Sequence, residues 1–140
     1  MKPLSLLSFL LFFALSCGQN DQGDKQSSEN DIDAARNFIR AALNSDYDLA
    51  RNYMLQDSLN NEDLNTVVRQ NQHLSAEEKK LYREASILIH GRRSENDSTS
   101  IIVYSNSYKN RKDSLKIVRV NGDWLVDFKY IFPHKTDSLP

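Results

Sequence analysis

The chain contains few of the residues on which several common kinds of site are built. It has a single cysteine, so no disulfide can form within it and its stability must come from packing. Its three histidines are far apart and show no metal-ligand spacing such as His-x-x-x-His. The four glycines form no phosphate-binding loop, and no serine stands in a nucleophile elbow. We therefore expect no metal site and no cofactor.

The charge of the chain is nearly balanced. Once Lys2 is removed with residues 1–16, as argued below, 17 basic residues stand against 19 acidic ones, a net charge of about −2. A nucleic-acid binder needs a basic surface, so we expect no nucleic-acid partner. The basic clusters Arg92-Arg93 and residues 109–112 are interpreted as solvated turns, with anionic lipid headgroups as the functional alternative.

The longest apolar run lies at the start of the chain. It covers residues 4–15, is too short to span a bilayer as a helix, and is followed directly by Ser16 and Cys17. The sequence Ala14-Leu15-Ser16-Cys17 resembles a bacterial lipobox, although leucine is more usual in the place of Ala14. This resemblance implies a signal peptide at residues 1–16 and acyl chains such as palmitate on Cys17. The alternative is an ordinary secretory signal with a chance cysteine.

Residues 18–30 contain no apolar side chain, so this stretch cannot bury enough surface to fold. We expect residues 17–30, with the lipidated Cys17 first, to form a disordered tether. It would hold the following domain on the order of 20 Å from the lipid. Asp21 and Asp24 resemble, weakly, the export signals of some Bacteroidetes lipoproteins. The expected location is the bacterial cell envelope, where the lipid would anchor the protein to either leaflet of the outer membrane.

Helical periodicity extends from residue 31 to about residue 83. Apolar residues at helical spacing predict a first helix over residues 31–43, which Asn44-Ser45-Asp46 breaks. Asp46 is placed to cap a short second helix, and residues 56–61 are predicted to be a polar loop. A third helix is predicted to begin near Glu62, and the capping box at Ser75 starts either a fresh turn or a fourth helix that runs to about Arg83.

The period then changes to that of β-strands. Residues 85–92 and 99–108 predict two strands, with a charged turn at residues 93–97. Residues 112–132 predict a hairpin around Asn121-Gly122, the dipeptide typical of a two-residue turn. Helices followed by a four-strand antiparallel meander indicate an α+β fold, with the N-terminal helices packed on one face of the sheet.

The two-residue turn fixes which residues of the hairpin face each other. Arg119 should face Trp124 and stack on its ring, and Leu115 should face Phe128. Trp124 should be buried against the first helix. Lys116 should face Asp127 on the surface away from the helices, as an exposed ion pair.

Three stretches of the sequence resemble the corresponding stretches of small lipoproteins of the nuclear-transport-factor-2-like, or cystatin-like, superfamily. These are the helix with Phe38-Ile39, the break at Ser45-Asp46-Tyr47 and the hairpin of residues 118–126. The resemblance covers residues 31–132, and residues 133–140 are expected to be a frayed tail. It implies a sheet that curves around a helix into a cone with a pocket at its mouth. Some members are enzymes, and many bind ligands or partners without catalysis.

Candidate pocket residues combine apolar bodies with a few polar groups, as a binding mouth requires. They are His90, Tyr104, Trp124, Phe128 and Tyr130. We expect no catalytic residue, because Asp127, which could be a general base, has Lys116 as its partner.

The sequence therefore predicts a lipid-anchored envelope protein with a non-catalytic domain. The domain would bind an unknown protein or a small apolar ligand, and the lipid would bind the membrane. The alternative is a small isomerase- or hydrolase-like enzyme with its active site in the same cone. An acid or base buried in the pocket beside a tyrosine would favour this alternative.

The anchor can be tested at Cys17. Cys17→Ser should leave the protein without acyl chains and release it from the membrane fraction, because the chain has no other thiol. Cell fractionation and intact-mass measurement check this, and Ser28→Ala in the tether is the control that should stay membrane-bound. Unchanged fractionation and mass of Cys17→Ser would contradict the lipoprotein assignment.

Overall fold

The computed structural model describes residues 27–132, which form four helices followed by a four-stranded antiparallel sheet. The helices are α1 (Asp31–Leu43), α2 (Tyr47–Asn52), α3 (Ser58–Gln72) and α4 (Ala76–Glu84). The strands, in sheet order, are β1 (Ile87–Asn96), β2 (Thr99–Asn106), β3 (Asp113–Val120) and β4 (Asp123–Asp127), and a 3₁₀ helix, Phe128–Ile131, follows.

This arrangement confirms the predicted α+β class, with helices packed against a curved sheet. The predicted signal peptide, Cys17, most of the tether and the C-terminal tail lie outside the described residues. Within residues 27–132, no helix is both long and apolar enough to cross a membrane.

Helix α1 supplies much of the core. Asn30 caps its first turn by accepting a hydrogen bond from the backbone N–H of Asp33. The core positions of the helix recur at helical spacing and face one side of the sheet. They are Ala34, Ala35, Phe38 and Ile39 from α1, against Ile102, Leu115, Ile117 and Val126 from β2, β3 and β4.

A buried carboxylate joins the start of α1 to the sheet. The Oδ2 atom of Asp31 accepts hydrogen bonds from Nε of Arg92 at 2.6 Å and from Oγ of Ser100 at 2.5 Å. Asp31 is 4% exposed and carries a charge, so these bonds from β1 and β2 offset the loss of water around it.

The predicted break after α1 is present and has a defined geometry. Ser45 adopts the left-handed conformation, with φ of 61°. The N–H of Asp46 donates to the carbonyl of Ala41, and the N–H of Ser45 donates to that of Ala42, as in a Schellman motif. Asp46 then caps α2, as predicted, by accepting from the N–H of Leu49 at 3.1 Å.

Helix α3 begins earlier than the sequence predicts, and residues 58–61 are helical instead of a loop. The reason is a cap at Asp57, which accepts from the backbone N–H of Asn60 at 2.9 Å. Asn60 is polar but fully buried, because its side chain bonds to groups on the sheet side.

The register of the last hairpin is confirmed for five pairs. Arg119 faces Trp124 with its guanidinium 5.6 Å from the ring centre, and Lys116 faces Asp127. The predicted pair Leu115–Phe128 is wrong, because β4 ends at Asp127 and Phe128 begins the 3₁₀ helix. Phe128 is still buried and packs on the Phe38 ring at 5.1 Å. Trp124 is only partly buried, at the margin of the core.

The two edges of the sheet differ. Beside β4, the segment around Met54 forms a short parallel bridge to Val126, so that edge is partly paired. At the other edge, β1 extends to Asn96, beyond the predicted end of the strand, and has register shifts between Ile89 and Gly91 and between Ser94 and Asn96. Such bulges twist an edge strand and interrupt its row of free backbone groups.

The expectation that Asp127 belongs to an exposed ion pair is wrong. Asp127 is 7% exposed, because the start of α3 packs over the end of β4. Its Oδ1 accepts from Nζ of Lys129 at 2.6 Å and from Nδ2 of Asn60 at 3.3 Å. Nζ of Lys116 lies 3.6 Å from Oδ2, and Lys129 also reaches Asp57 at 3.0 Å. The pair predicted from the hairpin is therefore one side of a network around a buried carboxylate, whose lysines are partly exposed.

This network predicts unequal effects for its members. Asp127→Asn should lower the free energy of unfolding by about 2–3 kcal/mol, because it leaves Lys129 and Asn60 with a weaker acceptor. Lys116→Met is the matched control on the facing strand and should cost less than about 1 kcal/mol, since its contact is long and partly solvated. Urea unfolding of both variants measures this, and equal effects would show that Asp127 is not a buried acceptor.

Candidate functional site

A cavity of about 330 Å³ lies between helices α1 and α3 and the end of the sheet where β2 leads into β3. This volume is within the range of small-molecule pockets. Its apolar wall comes from α1, α3, the loop after α3 and the 3₁₀ helix. The wall consists of Phe38, Ile39, Ala42, Leu43, Leu64, Val67, Leu74, Phe128 and Ile131.

A smaller set of polar groups shares the lining. It contains three tyrosines, three side-chain amides and one carboxylate, all within the described part of the chain. They are Tyr47, Tyr82, Tyr104, Gln70, Asn71, Asn106 and Asp113. An apolar interior with a few polar groups is the usual construction of a site for a small organic molecule.

The register between β2 and β3 brings Tyr104 and Asp113 together. These residues are direct cross-strand partners at the last pair of the ladder. The Oδ1 atom of Asp113 accepts from the backbone N–H of Ser114 at 2.9 Å, which orients the carboxylate at the start of β3. One end of the cavity therefore carries a phenol beside a carboxylate.

Helix α4 places Tyr82 at the cavity. Ser75 and Glu78 form a capping box at the start of this helix. At its other end, the guanidinium of Arg40 donates to the carbonyls of Arg83 and Ala85 at 3.2 and 2.8 Å, which ties α4 to α1. Tyr82 also packs edge-on against Tyr108, with ring centres 4.9 Å apart.

Two of the lining tyrosines are held in their neutral form. Burial raises the pKa of Tyr104, and the negative charge of Asp113 raises it further. Burial also raises the pKa of Tyr47, against a smaller opposing effect of the Ser45 hydroxyl. At physiological pH both side chains are phenols, which can donate and accept hydrogen bonds but do not act as bases.

Of the five candidate pocket residues from the sequence, Tyr104 and Phe128 line the cavity, and His90, Trp124 and Tyr130 do not. His90 lies at the first bulge of β1, exposed, with Nε2 2.7 Å from Oγ of Ser105 on the opposite face of the sheet from Tyr104. Trp124 stacks with Arg119 near the hairpin turn, and Tyr130 is 47% exposed.

Sequence reasoning missed Asp113 and the contribution of α3. Asp113 stood in a predicted polar connection, and only the β2–β3 register places it opposite Tyr104. Leu64 and Val67 were on a predicted helix, and their helical spacing was a signal for one apolar face. That spacing does not say whether the face meets the sheet or a cavity.

Among the described residues, no group of three or more His, Cys, Asp or Glu side chains is placed to hold a metal ion. Comparison of the chain with protein-family models, with curated proteins and with solved structures finds no match. The function must therefore be inferred from the geometry of the cavity and from the sequence.

The neutral state of Tyr104 can be tested by titration. Tyr104→Phe should leave the rise of phenolate absorbance near pH 10 almost unchanged, because the wild-type side chain keeps its proton there. The control is the same titration in urea, where unfolding exposes Tyr104 and Tyr104→Phe should therefore reduce the rise. The unfolded chain releases the Tyr104 proton more easily, so the folded state should also lose stability above about pH 10. A reduced rise for Tyr104→Phe in the folded protein would contradict the assignment.

Proposed function

We propose that this protein is a lipid-anchored protein of the bacterial cell envelope whose domain binds a small, largely apolar ligand without changing it chemically. The cavity between α1, α3 and the sheet is the observation that carries the proposal. Its concave, mainly apolar lining favours a small molecule over a protein surface as the partner.

The back of the cavity supports binding because its aromatic side chains are fixed by one another. The rings of Phe38 and Phe128 are 5.1 Å apart, and those of Phe128 and Phe132 are 5.2 Å apart. Phe38 and Phe128 are also almost completely buried. A wall that is already ordered costs little conformational entropy when a ligand enters, so more of the contact energy contributes to affinity.

The anchor is proposed from the sequence. The lipobox-like residues 14–17 and the polar stretch after them support it, and the membrane is the partner of the acyl chains on Cys17. The resemblance to the nuclear-transport-factor-2-like superfamily agrees with a helix-on-sheet domain that holds a pocket. The outer membrane remains the proposed location.

One observation favours the enzymatic alternative, an isomerase- or hydrolase-like activity in the same cavity. Asp113 is a carboxylate beside Tyr104, and a carboxylate and a neutral phenol can serve as a base and a hydrogen-bond donor. We prefer binding because general acid–base catalysis works best with groups that titrate near the working pH, and Asp113 is the one carboxylate of the described lining. Gln70, Asn71 and Asn106, the other polar groups apart from the tyrosines, do not titrate.

Filling the cavity should abolish binding. Ala42 lines the cavity from α1, and Ala42→Phe should reduce the affinity for the neutral fluorescent probe N-phenylnaphthylamine by at least about tenfold. Arg36→Phe adds the same ring to an exposed position of the same helix and is the control. Both are made in the full chain carrying Cys17→Ser, so that lipid does not absorb the probe.

Two outcomes would contradict the proposal. The first is no saturable binding of the probe to the otherwise unchanged chain, and the second is equal binding by Ala42→Phe and Arg36→Phe. An enzyme would instead convert a screened ester or ketone, and Asp113→Asn would lower its rate by about 10²–10⁴-fold.

A further inference from the structure

We infer that the ligand of this cavity carries a positively charged amine beside its apolar body. This inference rests on the proposed binding function and adds the chemical class of the ligand. It follows from the charge of the lining, from the surroundings of Asp113 and from the aromatic rings that share the cavity with it.

Asp113 is the only lining residue, among those the structure describes, with a formal charge at neutral pH. No lysine, arginine or histidine nitrogen of residues 27–132 lies within 4.0 Å of its carboxylate. The backbone N–H of Ser114 donates to Oδ1, and no hydrogen bond to Oδ2 is found within residues 27–132. A carboxylate at the edge of an apolar cavity is stabilised by an opposite charge and by hydrogen-bond donors, and an ammonium group supplies both.

The aromatic rings add a second attraction for a cation. Tyr47, Tyr82 and Tyr104 line the same cavity as Asp113, and the face of an aromatic ring attracts positive charge. One of these rings, Tyr82, already lies near an ammonium group, as does the neighbouring ring of Tyr108. Nζ of Lys109 lies 5.8 Å from the ring centre of Tyr82 and 5.1 Å from that of Tyr108.

Other charges near the cavity do not reverse this preference. Lys109 and Arg111 are exposed and neither lines the cavity, and Lys109 also interacts with the carboxylate of Glu78. Solvent screens both cations more than it screens the half-buried Asp113. A ligand carboxylate would be repelled by Asp113, and a neutral ligand would leave that charge without a partner. The lining therefore selects an amphiphilic amine over an acid or an alcohol of the same shape.

Calorimetry tests the preference with three probes that share an eight-carbon alkyl group: octylammonium, 1-octanol and octanoate. Each is titrated at neutral pH into the full-length protein carrying Cys17→Ser. Octylammonium should bind about tenfold more tightly than octanol, and octanoate should bind least tightly. Asp113→Asn should weaken octylammonium binding about tenfold and leave octanol binding within about twofold. Asp113→Glu should keep the preference, which protects the test if Asp113→Asn does not fold.

Asp97→Asn is the matched control, because it removes the same charge from the exposed turn between β1 and β2. It should leave all three affinities unchanged. The inference is overturned, with the binding function intact, if octanol or octanoate binds as tightly as octylammonium, or if Asp113→Asn behaves like Asp97→Asn. If none of the probes and no N-phenylnaphthylamine binds, the proposed function itself fails.

Discussion

Two backbone hydrogen bonds at Val126 determine where the cavity lies. The N–H of Val126 donates to the carbonyl of Tyr53, and the N–H of Leu55 donates to the carbonyl of Val126, both at 2.9 Å. Because Met54 and Val126 are also almost fully buried, the chain leaving α2 is held against β4. Helix α3 then starts beside the end of β4 and runs past the 3₁₀ helix. The space that it leaves between itself and α1 is the cavity.

Local chemistry made most of the fold predictable. The Asn121-Gly122 turn determines its own register, and the cap at Asp46 and the capping box at Ser75 act over three or four residues. The predictions are wrong where the burial of a residue depends on a segment far away in the chain. Asp127 is buried because Asn60 reaches it from 67 residues earlier in the chain, and no pattern within the hairpin contains that information.

The cavity was less predictable than the fold for the same reason. Tyr104 was found because a large aromatic residue on the inner face of a strand usually faces the core. Phe128 lies beyond the end of β4, but its ring still packs into the core against Phe38. His90 was misplaced because alternation puts it on the face of Leu88 but does not show that this face is turned to solvent. Asp113 was missed because its importance comes from the strand opposite. A polar residue at the end of a strand looks the same in a sequence whether it borders a cavity or open water.

The outer edge of β1, which no strand of the described residues pairs with, affects how two molecules of this protein meet. An open sheet edge is the part of a domain most prone to pair with another copy. The two bulges of β1 and the charges on Arg92, Arg93 and Glu95 interrupt the straight, uncharged backbone that such pairing needs. The strand can therefore end the sheet without offering an edge on which further copies would add as a growing filament.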